Sequence, residues 1–160
     1  MFRGSLIGVD VEQWDDHERE VVRHPGAAAV LTVTAEGSVL FVRQLREALR
    51  APILEIPAGL VEPNEDPADT ARRELEEETG YRATELERLG RVYTSPGYSD
   101  EVVHLFLATA EPAKTTEEGI ELVAMAPEDA VAAVRDGRIT DAKSVIALLL
   151  AADRLLAGPR

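Results

Sequence analysis

Apolar residues along this chain follow two rhythms, short alternating or continuous runs through most of its length and helix-like stripes later on. Leu6–Val11 and Glu20–Arg23 flank a polar turn from Trp14 to His17, which predicts a small antiparallel element over residues 1–24. Ala27–Thr34 (AAAVLTVT) predicts a buried strand, and Glu36 and Gly37 a hairpin turn into Val39–Arg43 (VLFVR). Ile53–Ile56 predicts a short strand running into Pro57, Ala58 and Gly59. Leu86–Thr94 and Val102–Thr109 predict strands separated by the loop Ser95–Asp100, and Ile120–Met125 a further strand after the polar stretch Lys114–Gly119. Pro127–Asp136 and Asp141–Ala157 predict helices, the second apolar over most of its surface and so buried against the sheet or a partner subunit.

Between these segments lies Gly59–Tyr81, GLVEPNEDPADTARRELEEETGY, which predicts one more helix. Asp66 can cap it, Pro67 fits its first position, Asp69 places negative charge in its first turn, and Gly80 stops it in the left-handed conformation. Ala68, Ala71 and Leu75 make a narrow apolar stripe that can pack on a sheet. Strands dominate early, one helix is inserted mid-way and two close the chain, which predicts an α/β fold with a mixed sheet covered on both faces.

The inserted helix also gathers Glu77 about 60° to one side of Glu74 and Glu78 about 40° to the other. Glu74 and Glu78 form an i,i+4 pair of equal sign, which weakens an isolated helix by roughly a few tenths of a kcal/mol. A divalent cation reverses that sign, and hard carboxylate oxygens suit Mg²⁺ or Mn²⁺. On the paired glutamates alone, a solvated acidic surface helix is the alternative.

The whole chain narrows the choice. Its 160 residues suffice for one domain with a real core, and no segment reaches the roughly 18 uninterrupted apolar residues of a membrane span. The N-terminal MFRGSLIGVDVEQ lacks the apolar core and cleavage site of a signal peptide. There is no cysteine, which removes disulfides, thiolate metal sites and cysteine nucleophiles, and a cytoplasmic enzyme is the simplest fit. The net charge of −13 argues against nucleic acid and anionic membranes as partners. A small phosphorylated substrate then needs metal ions and local arginines to be admitted.

Gly59, Glu65, then Arg73-Glu74-Leu75 and Glu77-Glu78 with Gly80 resemble the Nudix box, GX5EX7REUXEEXGU, at every fixed position. Tyr81 departs from the Ile, Leu or Val usual at the next position, a packing site. The resemblance covers roughly Ala27 to Ala157 and implies the α/β/α sandwich of Nudix domains, with residues 25–160 as that domain and residues 1–24 as an added dimerisation element. It implies hydrolysis of a nucleoside diphosphate linked to another group, by water attacking phosphorus with Mg²⁺ as cofactor and Mn²⁺ as a possible substitute. Carried over, Glu74 and Glu78 are the main metal ligands, Glu77 contributes directly or through water, and the Ala58 carbonyl is a backbone ligand. Arg73 orients the carboxylates, and Glu65 has a structural role in the loop.

Three further elements are similar to the ADP-ribose pyrophosphatase branch of that family. Arg43-Gln44-Leu45-Arg46 matches its Q-x-R element, which makes Arg46 a phosphate holder. Leu54-Glu55-Ile56-Pro57-Ala58-Gly59 matches the E-x-P-A-G lead-in. Ser95-Pro96-Gly97-Tyr98-Ser99-Asp100-Glu101 matches the S-P-G-x-x-x-E loop, where Pro96 lies 16 residues past Gly80, the place associated with ADP-ribose preference. Ser95, Pro96, Gly97, Tyr98 and Glu101 are therefore candidates for substrate binding. In this branch a glutamate from a loop after the main sheet serves as base, and Glu118 fits best, with Glu117 the alternative. Trp14, the one tryptophan, is a candidate for stacking on adenine across a homodimer, or for surface packing at that interface. His17, His24 and His104 show no metal-ligand spacing and read as structural. The reaction implied is cleavage of ADP-ribose to AMP and ribose 5-phosphate. The alternatives are a broader nucleotide-sugar or dinucleoside polyphosphate pyrophosphatase, and a nucleotide sensor without turnover.

Overall fold

The alternating pattern of the first residues builds a small sheet of its own. In the computed structural model, which describes residues 1–113 and 120–157, β1 (Phe2–Arg3), β2 (Gly8–Trp14) and β3 (His17–Arg23) pair antiparallel in that order. The reversal between β2 and β3 needs only Asp15 and Asp16, because Asp15 takes the left-handed region at φ 50°. Trp14 therefore ends β2, paired with His17, instead of lying in the turn.

The rest of the chain forms a seven-stranded mixed sheet. Its strands are β4 (Ala27–Thr34), β5 (Val39–Arg46), β6 (Ala51–Glu55), β7 (Ala58–Leu60), β8 (Tyr81–Tyr93), β9 (Val102–Pro112) and β10 (Glu121–Met125). The order is β10-β5-β4-β9-β8, with β6 paired to β5 and β7 to β4. Among the described strands of this sheet, β4 and β9 pair parallel and the other pairings are antiparallel. The stretch Ala27–Leu31 is continuous in apolar residues because both faces of β4 are covered. Ala28 and Val30 face helix α1 (Pro67–Thr79), where Ala71 and Leu75 pack among Phe106, Ala108 and Ala110. Ala29 and Leu31 face the other way, with Phe41 and Leu105, against α2 (Pro127–Arg135) and α3 (Ala142–Ala157). The α/β/α sandwich is the architecture the pattern predicts.

Helix α1 starts and stops on local chemistry. The Asp66 side chain accepts the Ala68 N–H at 2.8 Å, Pro67 opens the first turn, and Gly80 at φ 73° closes it in the left-handed conformation. The rotation of α1 on the sheet is set by its apolar stripe, with Ala71 and Leu75 fully buried.

The strand edges differ from the hydrophobic pattern where polar residues continue a strand. β5 extends to Arg46 because β6 supplies backbone partners opposite Val42 to Arg46. β8 begins directly after Gly80, five residues before the apolar signal at Leu86, and is kept in register with β9 through irregularities at Ala83/Glu85 and Arg88/Gly90. β7 is three residues long and contains glycine, so it has no periodic signal; its pairing with Ala27–Ala29 of β4 makes it a strand.

Truncating the inward face of α1 tests this seating. Leu75→Ala is expected to lower unfolding free energy by about 3 kcal/mol in urea titration. A loss below about 1 kcal/mol would contradict the packing of α1 described here.

Candidate active site

With Leu75 turned into the sheet, α1 lays Glu74 and Glu78 across the Ala58–Gly59 backbone of β7. The Glu74 carboxylate lies so close to Gly59 that a Cβ there would overlap it, so any side chain at 59 would displace this carboxylate from the β7 backbone. Glu78 is only 7% exposed. Its Oε2 accepts the Ala58 N–H at 3.1 Å and its Oε1 accepts Gln44 Nε2–H at 2.8 Å. Burial pushes the Glu78 carboxyl up to about 7, and the nearby Glu74 charge adds to the rise. Glu74 is also raised, chiefly by burial, although Arg73 opposes it.

Arg73 holds the group together. Its Nε and Nη2 each donate to Glu65 at 3.1 Å, its Nη1 donates to Glu74 at 2.5 Å and Glu77 at 3.2 Å, and Nη2 also reaches the Leu60 carbonyl at 3.2 Å. Glu65 accepts the Thr70 hydroxyl at 2.7 Å and the Glu62 N–H at 3.1 Å, so it ties the preceding loop to α1. Hydrogen bonds from Arg73, then Thr70, hold Glu65 down at about 2.

Among the described residues, no group of three or more His, Cys, Asp or Glu side chains converges on a common point in the arrangement recorded. The acids are instead turned onto Arg73, Gln44 and the Ala58 N–H. The donor set still fits a hard divalent cation: every candidate atom is oxygen, two carboxylates are unfavourably charged where they lie, and the missing Cβ of Gly59 leaves backbone and carboxylate in contact.

Beside this face, Arg46 is gripped by Glu55, Nε to Oε1 at 2.6 Å and Nη2 to Oε2 at 2.8 Å. Glu55 is 1% exposed and also takes Lys143 Nζ from the start of α3, which in turn reaches Asp141 at 3.0 Å. Burial works to raise Glu55, but Arg46 and Lys143 more than offset it and hold it below the usual carboxylate range. Ser144 locks the same corner, donating to Asp141 and accepting the Ile56 N–H at 2.8 Å. Among the described residues Nη1 of Arg46 makes no hydrogen bond, and the side chain is 42% exposed.

The loop Ser95–Asp100 joins the end of β8 to the start of β9, beside the start of β4 to which β7 is paired. It thus flanks the acid face at one end of the sheet. Pro96, Gly97 and Tyr98 are exposed at its tip, and Glu101 accepts the Thr94 hydroxyl at 2.6 Å at its base. Trp14 lies exposed on β2, donating to Glu12 at 3.0 Å. Glu117 and Glu118 lie outside the described residues. His17 pairs with Asp16, His24 accepts the Gly26 N–H, and His104 contacts Arg88. An apolar pocket of about 260 Å³, lined by Val33, Thr34, Leu107 and Leu155 among others, opens at the opposite end of β4 from the acid face.

Sequence reasoning assigned no role to Gln44, Glu55 or Lys143. The first two stand within recognised elements and had a signal in their spacing. Lys143 meets Glu55 across 88 positions of chain, and nothing local marks it.

Comparison with known proteins gives a consistent picture. The family model described as NUDIX domain matches residues 22–148. An ADP-ribose pyrophosphatase of Bacillus subtilis (strain 168) is 43% identical over 159 residues, covering 92% of this chain and 86% of the relative. A GDP-mannose pyrophosphatase of Cronobacter sakazakii is 38% identical over 146 residues, covering 82% and 76%. Among solved structures, a crystal structure of ADP compounds hydrolase superposes with a TM-score of 0.78 at 22% identity, covering 98% of this chain and 90% of that one, which shows the shared fold.

The buried Glu78 makes a prediction that needs no relative. Its folded-state pKa lies above the unfolded value, so in metal-free protein its ionisation costs stability as pH rises from about 4.5 to about 7. Glu78→Gln is expected to leave metal-free stability unchanged near pH 4 and raise it by on the order of 1–3 kcal/mol at pH 8. Denaturant titrations in EDTA at both pH values check this, and equal stability at pH 8 would contradict it.

Proposed function

The chain belongs to the Nudix hydrolase family, and on that basis we propose that it hydrolyses the diphosphate bond of ADP-ribose to AMP and ribose 5-phosphate. The observation that carries the reading is the pair Glu74 and Glu78 lying on the Ala58–Gly59 backbone, with the half-exposed Arg46 beside it. The B. subtilis relative named ADP-ribose pyrophosphatase supports the choice of substrate.

In this proposal Glu74, Glu78 and the Ala58 carbonyl hold a divalent cation, Mg²⁺ with Mn²⁺ as substitute, and Glu77 assists. Bound there, the cation neutralises diphosphate charge and makes water a stronger acid. The chain's own residues do the rest. Arg73 keeps Glu74 and Glu77 aimed at one region by bonding both from a single Nη1, while Glu65 holds Arg73 in place. Arg46, fixed along one edge by Glu55, offers its Nη1, which makes no hydrogen bond among the described residues, to a substrate phosphate oxygen. Glu118 is the proposed base that takes the proton of the attacking water. Ser95, Pro96, Gly97, Tyr98 and Glu101 line the nucleoside or ribose side.

We also propose a homodimer through residues 1–24 and α3, with Trp14 stacking on the adenine of the partner's substrate. The exposed Phe2, Val11 and Trp14 on the small sheet, and Leu149, Leu150 and Leu156 on α3, support this surface. The charge of −13 is consistent with a small-molecule substrate, not nucleic acid or a membrane, and the chain without cysteines supports a cytoplasmic setting. A broader nucleotide-sugar pyrophosphatase is the second reading, favoured by the GDP-mannose pyrophosphatase relative.

Hydrolysis of ADP-ribose, GDP-mannose, other nucleotide sugars, dinucleoside polyphosphates and dNTPs with Mg²⁺, products resolved by chromatography, tests the proposal. AMP and ribose 5-phosphate should dominate. Glu78→Gln is expected to lower kcat by about 100-fold or more, and Arg46→Ala to raise KM by about tenfold or more. Preference for another substrate sinks the ADP-ribose reading, and binding without turnover on the whole panel favours the sensor.

A further inference from the structure

The substrate-side loop does not stand on its own contacts. Internally it closes a single turn, with Tyr98 and Ser99 N–H groups both donating to the Ser95 carbonyl at 3.1 and 2.9 Å. Its base is closed by Thr94 and Glu101. Pro96, Gly97 and Tyr98 face solvent, Tyr98 at 61% exposure, so core packing does not set their position.

What fixes the loop is the N-terminal sheet. The Val22 N–H donates to the Tyr98 carbonyl at 2.7 Å and the Asp100 N–H donates to the Val22 carbonyl at 3.1 Å, making a parallel bridge between Val22 and Ser99. The next two residues of β3 and its exit then take both oxygens of the Asp100 carboxylate. Arg23 Nη1 donates to Oδ2 at 3.0 Å and the His24 N–H to Oδ1 at 2.8 Å. Arg23 spreads its remaining donors over β2, Nε to Asp10 at 3.1 Å and Nη2 to Glu12. One guanidinium thus ties β2, β3 and the loop together, across 77 positions of sequence on the loop side.

An isolated, partly exposed ion pair contributes little. This one differs because the arginine serves three acids and the same carboxylate also takes a backbone N–H, so the contacts form as a unit. These hydrogen bonds to the loop fall on residues 22–24 of the chain and 98–100 of the loop, immediately next to the exposed tip, and His24 Nδ1 also lies 3.6 Å from Glu101 at the loop's base.

We propose that Arg23 and Asp100 are positioning residues for substrate recognition, a latch through which the N-terminal sheet sets where Pro96–Tyr98 meets the nucleotide sugar. This rests on the reading that the loop lines the substrate. Neither residue belongs to the acid face, so the latch acts on binding and substrate choice and leaves the metal ligands undisturbed.

The test compares Arg23→Ala, Asp100→Asn, the double variant and the conservative Arg23→Lys. Hydrogen exchange over 94–101 and 20–24 reads the latch directly, whatever the substrate. Exchange there should quicken in the alanine and asparagine variants and return toward normal in Arg23→Lys. KM for ADP-ribose should rise about five- to tenfold with kcat within about twofold, Mn²⁺ affinity should stay unchanged, and the double variant should be no worse than the single ones.

Unaltered exchange overturns the latch. Quickened exchange with normal KM overturns its role in recognition. A joint fall of kcat, Mn²⁺ affinity and melting temperature shows a general structural role instead. If the wild type prefers another nucleotide sugar, the kinetic arm is read on that substrate: the ADP-ribose assignment fails while the latch is judged on the same KM and exchange criteria.

Discussion

Three carboxylates on adjacent turns of one helix repel one another, and the surroundings of α1 are arranged to hold them together. Arg73 supplies positive charge to Glu65, Glu74 and Glu77 at once. Glu78, which it does not reach, is steadied by the Ala58 N–H and Gln44. These dipoles stabilise its charged form less than water would, which is why burial still dominates its proton affinity. The helix caps, the glycine at 59 and the short strand β7 all serve this one placement. Gly80 ends α1 in the left-handed conformation, and the bare Gly59 lets the Glu74 carboxylate lie against the β7 backbone.

A second centre obeys the opposite logic. Glu55 is more deeply buried than Glu78 but sits between Arg46 and Lys143, so its charge is compensated. The contrast separates the two carboxylates chemically. One is an anion already satisfied by its neighbours and suited to fixing a guanidinium; the other is an anion short of positive charge. In a chain with 30 acidic residues against 17 basic ones, an anionic substrate can only be met where cations are held in place, and Arg46 is held along its Nε–Nη2 edge.

The legible parts of this molecule were those set by neighbours in sequence. The capping of α1, the central run of β4 and the box spacing are local, and each appears where the pattern put it. The acid face followed because helix geometry converts spacing into proximity. β7 was not legible, since three residues containing a glycine acquire strand character only from β4. Lys143 and the Arg23–Asp100 pair were not legible either: their partners are 88 and 77 positions away, and only the folded sheet brings them together. Trp14 was assigned to a turn because its polar neighbours masked the two-residue reversal at Asp15 and Asp16.

The parallel pairing of β4 with β9 has a consequence for how such a chain is made. β4 is complete by residue 34, yet the strand that covers its edge spans residues 102–112, and the lysine that compensates Glu55 stands at 143. A growing chain emerging from the ribosome therefore displays an apolar central strand with one edge open, and a glutamate awaiting one of its cations, until most of the protein has been synthesised. Box helix and acid face are encoded early and completed late. Their final geometry is a property of the finished chain, and the long sequence separation of its central pairing makes the assembly step slow relative to local helix formation.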